Sequence, residues 1–119
     1  MKPVCEIFAV RTTRSNALVE WLSRDKALQA KADVTMHRLQ YMLPPWPMPY
    51  YRPLGKGVGE VRFDSRNVEH RAYGYFIGRQ FIVMFGRSGK KRQQQAIITA
   101  KELKKQFDKN PPATERYYV

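Results

Sequence analysis

The sequence predicts a small α+β domain in the order β-α-α-β-β-β-α. A helical hairpin precedes a small, mostly antiparallel sheet, and a C-terminal helix follows it. Three observations carry this. The chain has 119 residues, about the length of one domain and enough to close a core without staples. Two stripes of apolar residues with helical spacing fill the first third. From Val58 the period changes to alternation, and a helical stripe returns only after residue 92.

Residues 4–10 (Val-Cys-Glu-Ile-Phe-Ala-Val) are strand formers and open the fold. Ser15 and Asn16 offer N-caps to a first helix that carries Leu18, Trp21 and Leu22 on one side. Asp25 caps a second helix with Leu28, Ala32, Thr35, Met36, Leu39, Met42 and Leu43 in line. Trp21 and Leu39 are expected in the core of this hairpin. Five of the eight prolines then crowd into residues 44–53, with Trp46, Tyr50 and Tyr51 among them. Proline forbids a helix there, so a stiff loop inside the domain is expected, serving either as a docking ridge or as a core plug around Trp46.

Three strands are predicted next, at 58–63, 69–77 and 80–87, with a tight turn at Gly78-Arg79. Phe81-Ile-Val-Met-Phe85 is apolar on both faces and reads as a central strand covered twice. A turn at 88–91 leads to a helix over 93–108, with Ile97, Ala100, Leu103, Lys104 and Phe107 on one side. Asn110-Pro-Pro stops it. One domain is expected over residues 1–109, and 110–119 read as a frayed or docking tail.

Charge bounds the function. Twenty-two Lys and Arg against ten Asp and Glu leave a net of +12. Folding does not require that excess, which repels itself in a compact state, so a polyanionic partner is expected. Residues 52–119 hold fifteen basic and six acidic side chains, so the second half carries most of it. The single Cys5 excludes an intrachain disulfide and any zinc site of several thiolates. The short apolar run at the start, interrupted by Glu6, is not expected to act as an export leader, and no stretch reaches the roughly 18–20 apolar residues of a membrane span. A cytoplasmic protein is expected, without membrane association.

No phosphate loop, metal-ligand cluster or nucleophile triad is present in the sequence; neither metal nor small-molecule cofactor is expected. His37 reads as a helix-surface residue. His70 opens a strand, where it either serves as an acid or base near neutral pH or faces solvent. The remaining candidates are cationic. Glu60 and Arg62 share one strand face; Arg71, Tyr73 and Tyr75 share another; Arg87, Lys90, Lys91 and Arg92 follow the third strand. With helices on one side of the sheet, the other side is expected open, and arginine forks interleaved with tyrosines there suit phosphates and stacked bases. Alternatively, Glu60 pairs with Arg62 or Arg71 and the tyrosines pack.

Pro53-Leu-Gly-Lys-Gly-Val-Gly-Glu-Val-Arg62, then His70-Arg71-Ala-Tyr-Gly-Tyr-Phe76, resembles the sheet of bacterial toxins of the RelE/ParE superfamily, in its HigB-like, phage-associated branch. Phe81–Gly86, Lys90 and Gln93, with Ile97, Ala100 and Leu103, resemble the rest of that pattern, and the likeness runs from about residue 4 to residue 108. The chain departs from it in three places. His70 stands for a Tyr, the turn 87–92 is one residue longer and lacks an Asp, and Ala96 replaces an acidic residue.

The resemblance implies a RelE-like microbial ribonuclease toxin fold, a helix-turn-helix antitoxin as partner, and cleavage of mRNA on the ribosome. Family functional residues fall on Arg62, Arg71 and the basic turn at Lys90 and Lys91. Arg62 and Arg71 are then expected on the scissile phosphate, Lys90 or His70 as the proton-transfer group, and Tyr73 against a base. Lys56, Arg79, Arg87, Lys91 and Arg92 are expected to grip the RNA backbone. Two rivals stand beside this: a gyrase-directed toxin of the same fold, and a non-enzymatic, basic nucleic-acid-binding phage accessory protein.

Overall fold

The computed structural model describes residues 2–119 and shows an α+β fold built on one six-stranded sheet. Its elements are β1 (Glu6–Val10), α1 (Ala17–Leu22), α2 (Lys26–Leu39), β2 (Tyr51–Gly55), β3 (Val58–Ser65), β4 (Val68–Ile77), β5 (Gln80–Ser88), α3 (Gln93–Lys109) and β6 (Thr114–Arg116). The strand order is β2-β3-β4-β5-β1-β6. Neighbours are antiparallel except β1 and β5, which run parallel.

Local chemistry explains the starts and stops. The Asn16 side chain accepts from the Val19 N–H, and Asp25 accepts from Ala27 and Leu28, so both short-range caps are made. Helix α2 ends at Leu39, not at Leu43 as the apolar stripe suggests; a continued helix would set the Pro44 ring against the Gln40 carbonyl. Leu43 is consequently exposed. Arg66 and Asn67, both at positive φ, form the two-residue turn between β3 and β4.

One face of the sheet packs on α1 and α2. Ile7, Leu18, Leu22, Met36, Leu39, Val61 and Phe81 form its centre. Trp46 of the proline loop inserts among Tyr51, Phe76 and Phe81 with ring centroids 4.9–5.9 Å apart, and its indole N–H donates to the Met42 carbonyl at 3.0 Å. The loop is thus anchored by a core plug. Trp21 is half-buried and lies flat against the β5 backbone at Gly86, where a Cβ would sit 2.0 Å from its ring.

The opposite face is not open. Helix α3 covers part of it, packing Ala96 and Ala100 onto Val58, Tyr73, Tyr75, Ile82 and Met84. The small alanines let the helix axis approach the sheet, and the two apolar faces of 81–85 are both used. The end of the chain also departs from the expected tail. Thr114–Arg116 pair with β1, Arg116 holds Glu6 at 2.6 Å, and buried Tyr117 donates its hydroxyl to Asp33 at 2.7 Å. Asn16 bonds the Glu115 carboxylate from the other side.

Candidate nucleic-acid interface

Beyond the part of the sheet that α3 covers, three arginines stand in one row. Arg62 on β3 faces Arg71 on β4, and Arg71 faces Arg87 on β5. Strand alternation puts all three on the α3 side of the sheet. Like charges directly opposite repel, so the row needs carboxylates, and two supply it.

Glu60 is fully buried. Its Oε1 accepts from Arg52 Nε and Nη2 at 2.9 and 2.7 Å, and its Oε2 lies 2.8 Å from Arg71 Nε. Glu69 is half-buried and also divides its oxygens. Oε1 accepts from Arg62 at 2.8 Å and Oε2 from Arg71 at 3.1 Å, with Lys90 Nζ 3.8 Å away. The Arg62 hydrogen bond, then Arg71 and Lys90, hold the Glu69 carboxyl below its ordinary range. Arg71 Nη1 also reaches the Gly89 carbonyl at 3.4 Å, while the Gly89 N–H donates to the Glu69 backbone at 2.8 Å. Those two contacts tie the β5–α3 turn to β4 and so place Lys90.

Four cations (Arg52, Arg62, Arg71 and Lys90) therefore hold two carboxylates, and Arg87 stands beside Arg71 without a carboxylate of its own among the described residues. The excess lies on the exposed side. Arg87 stands over the Phe85 ring at 5.6 Å with its guanidinium toward solvent, and Lys90, Lys91 and Arg92 are exposed in the turn.

Several expected roles do not survive this geometry. Arg71 is only 4% exposed and engaged by Glu60, Glu69 and Gly89, so it is a positioning residue at the root of the row. Tyr73 is buried beneath α3 and stacked on Phe85 at 5.0 Å; a base has no access to it. Burial, and next the Glu60 charge, push its phenol up. His70 points to the other face, as the residue before Arg71 must. It stacks on Phe63 and bonds Ser88 Oγ at 2.7 Å, a hydroxyl that also accepts from Trp21 Nε1 at 3.2 Å. It is neither solvent-facing nor beside the arginines. Lys56 and Arg79 sit in turns at the far end of the sheet, about 20 and 26 Å along the strands from the row at the rise of an extended chain.

Arg62, Arg71, Arg87 and Lys90 do converge, with Lys91 and Arg92 next to them. Arg52 and Glu69 join them without having stood out in the sequence. Glu69 had one signal: it is two residues from Arg71 and so shares its face. Arg52 had none, because β2 is hidden in a proline-rich segment. Among the described residues, no group of three or more His, Cys, Asp or Glu is placed to hold a metal ion, and no helix is long and apolar enough to cross a membrane. In comparisons with family models, with curated proteins and with solved structures, nothing matches the chain.

Proposed function

We propose that this chain is the toxin of a type II toxin–antitoxin pair, a ribosome-dependent mRNA endoribonuclease countered by a helix-turn-helix antitoxin. The cationic row carries the reading. Arg62, Arg87 and Lys90 present donors on one rim, with Arg62 held by Glu69 and Arg87 standing over the Phe85 ring. Such a surface suits an RNA phosphate.

Cleavage by the substrate's own 2′-hydroxyl forms the 2′-O–P bond and breaks P–O5′. The 2′-oxygen loses its proton to a solvent water, and another proton is delivered to O5′. Charge builds on the phosphoryl oxygens, and a preorganised donor aimed at such charge is worth about 3–4 kcal/mol. Arg62 and Arg87 have that role here. Lys90, whose ammonium stands 3.8 Å from the Glu69 carboxylate, supplies the proton to O5′. Glu69, kept ionised by its cations, accepts hydrogen bonds but is a weak base. The constellation is sparse, and works only on a substrate oriented by something else, which agrees with dependence on the ribosome.

The test is primer extension of mRNA on programmed ribosomes, comparing wild type with Arg62→Ala, Arg87→Ala and Lys90→Ala. Cuts at the decoding site that vanish in the variants support the nuclease. One observation favours a second reading, a binder that does not cut: His70, Tyr73 and Arg71 are all spent on packing and ion pairs. That reading predicts salt-dependent RNA binding with no product.

A further inference from the structure

Strand β2 stops covering β3 at Val61. The first ladder pair of β2 is Tyr51↔Val61, and the Arg62 N–H donates to the Tyr50 carbonyl at 2.8 Å. Backbone groups of alternate residues point to the same side of an antiparallel strand. The Asp64 N–H and C=O therefore aim at this same, now uncovered, edge. Helix α2 runs past it, and the two enclose a cleft of about 250 Å³ walled by Lys31, Val34, Arg38, Tyr50, Arg62 and Asp64.

The walls differ in chemistry. Lys31 and Arg38 project from one face of α2, both are exposed, and neither is in an ion pair among the described residues. Arg38 is oriented by Tyr50, donating to its hydroxyl at 3.2 Å with the guanidinium carbon 5.7 Å from the ring centroid. Between the two cations Val34 is 55% exposed. Across the gap, Asp64 offers an exposed carboxylate, in no ion pair among the described residues, and its edge N–H. Arg62 belongs to both places, lining this cleft while it bonds Glu69 in the arginine row.

We propose that the cleft seats one ribonucleotide of a single-stranded RNA whose neighbouring phosphate lies at Arg62. Typical small-molecule sites measure roughly 300–1,000 Å³, so this volume suits a single unit of a longer chain. A phosphate meets Lys31, and a base lies against Val34 and the Tyr50–Arg38 pair. The 2′-hydroxyl both donates and accepts, matching the Asp64 carboxylate and N–H, and DNA lacks it. The inference rests on the RNA-binding reading above but has its own readout.

The experiment titrates a labelled single-stranded RNA hexamer, and the DNA hexamer of the same sequence, into wild type, Val34→Glu and Asp64→Ala. Both positions are exposed, so the core is untouched. The RNA is also added to isotope-labelled wild type to map amide shifts. Val34→Glu is expected to weaken RNA binding about ten-fold, Asp64→Ala to equalise RNA and DNA, and shifts to appear at residues 31–38 and 62–64. Unchanged affinity in Val34→Glu, or shifts confined to 87–92, overturns the cleft and leaves the nuclease reading in place. Failure of the wild type to bind the hexamer also overturns it. Binding in the cleft without mRNA cleavage on ribosomes keeps this inference and removes the nuclease.

Discussion

Arg62 and Arg71 stand directly opposite each other on β3 and β4, and one carboxylate, Glu69, holds both. The backbone groups of Arg62 point away from β4, which makes this the closer kind of cross-strand pair. Glu60 repeats the device one row inward between Arg71 and Arg52. The charges thus alternate, with Glu60 and Arg71 buried in the middle of the series and Arg52 and Arg62 partly exposed at its ends. The inner pairs fix where the outer guanidinium sits, and the outer cations keep donors free for a ligand.

This division predicts unequal costs for two similar substitutions. Arg71→Ala strands the buried Glu60 beside a single partner, and breaking a buried pair costs about 3–5 kcal/mol. Arg62→Ala removes a half-exposed pair worth no more than about 1 kcal/mol. Urea denaturation of both variants measures the difference. Under the proposed toxin function, growth arrest lost in Arg71→Ala then reports a lost fold, whereas arrest lost in Arg62→Ala reports a lost phosphate contact. Equal stabilities would remove the distinction.

Glu69 makes stability depend on acid. Its carboxyl is held below the ordinary glutamate value near 4.5 by Arg62 first, then Arg71 and Lys90. A depressed carboxylate contributes in full above its unfolded pKa and loses that contribution as pH falls through the folded value. The stability gap between wild type and Glu69→Gln is expected to stay constant from pH 7 to about pH 5 and to shrink in more acid solution. Denaturant midpoints across pH 3–7 check it; a gap independent of pH contradicts it.

Gly86→Ala tests the packing on the other face. The added Cβ would lie 2.0 Å from the Trp21 ring, which cannot retreat without leaving Phe63, His70 and Ser88. Overpacking of this kind costs about 1–3 kcal/mol. A lowered melting temperature with a red-shifted tryptophan emission is the expected result.

The order of elements was readable because the signals were local: Asn16 and Asp25 at helix starts, alternation after Val58, prolines at 44–53. What escaped depended on distant partners. Residues 51–55 look like loop, since Pro53 forbids a central strand, yet an edge strand tolerates it. Residues 114–116 pair only because β1 offers an edge. The buried state of Tyr73 was implicit in 81–85, whose two apolar faces require a cover on both sides of the sheet. His70 and Arg71 are adjacent in a strand and so could never share a face. The pairing of Glu69 with Arg62 needed the register of the β3–β4 hairpin, which the Arg66-Asn67 turn sets.

Tyr117 measures how firmly the last strand belongs to the fold. Its ring is buried against the α1–α2 face and its hydroxyl bonds Asp33. Tyr117→Ala is expected to cost about 3–5 kcal/mol, and Tyr117→Phe about 1 kcal/mol. A Tyr117→Ala protein as stable as wild type in urea would return residues 110–119 to the status of a loose tail.

The position of the interface has a test that does not require catalysis. Each phosphate neutralised on a single strand contributes about −0.7 to the slope of log K against log salt. Arg87, Lys91 and Arg92 lie beside the arginine row, whereas Lys56 and Arg79 occupy turns at the other end of the sheet. Replacing the first three with Ala is expected to flatten the slope for a short RNA by about 2. Replacing Lys56 and Arg79 leaves it where it was, since a hexamer seated on the row does not extend to both ends. If the two sets flatten the slope alike, binding follows overall charge and the row has no special claim. If only Lys56 and Arg79 matter, RNA lies at the opposite end of the sheet, and the Arg62–Arg71–Arg87 register serves the fold alone.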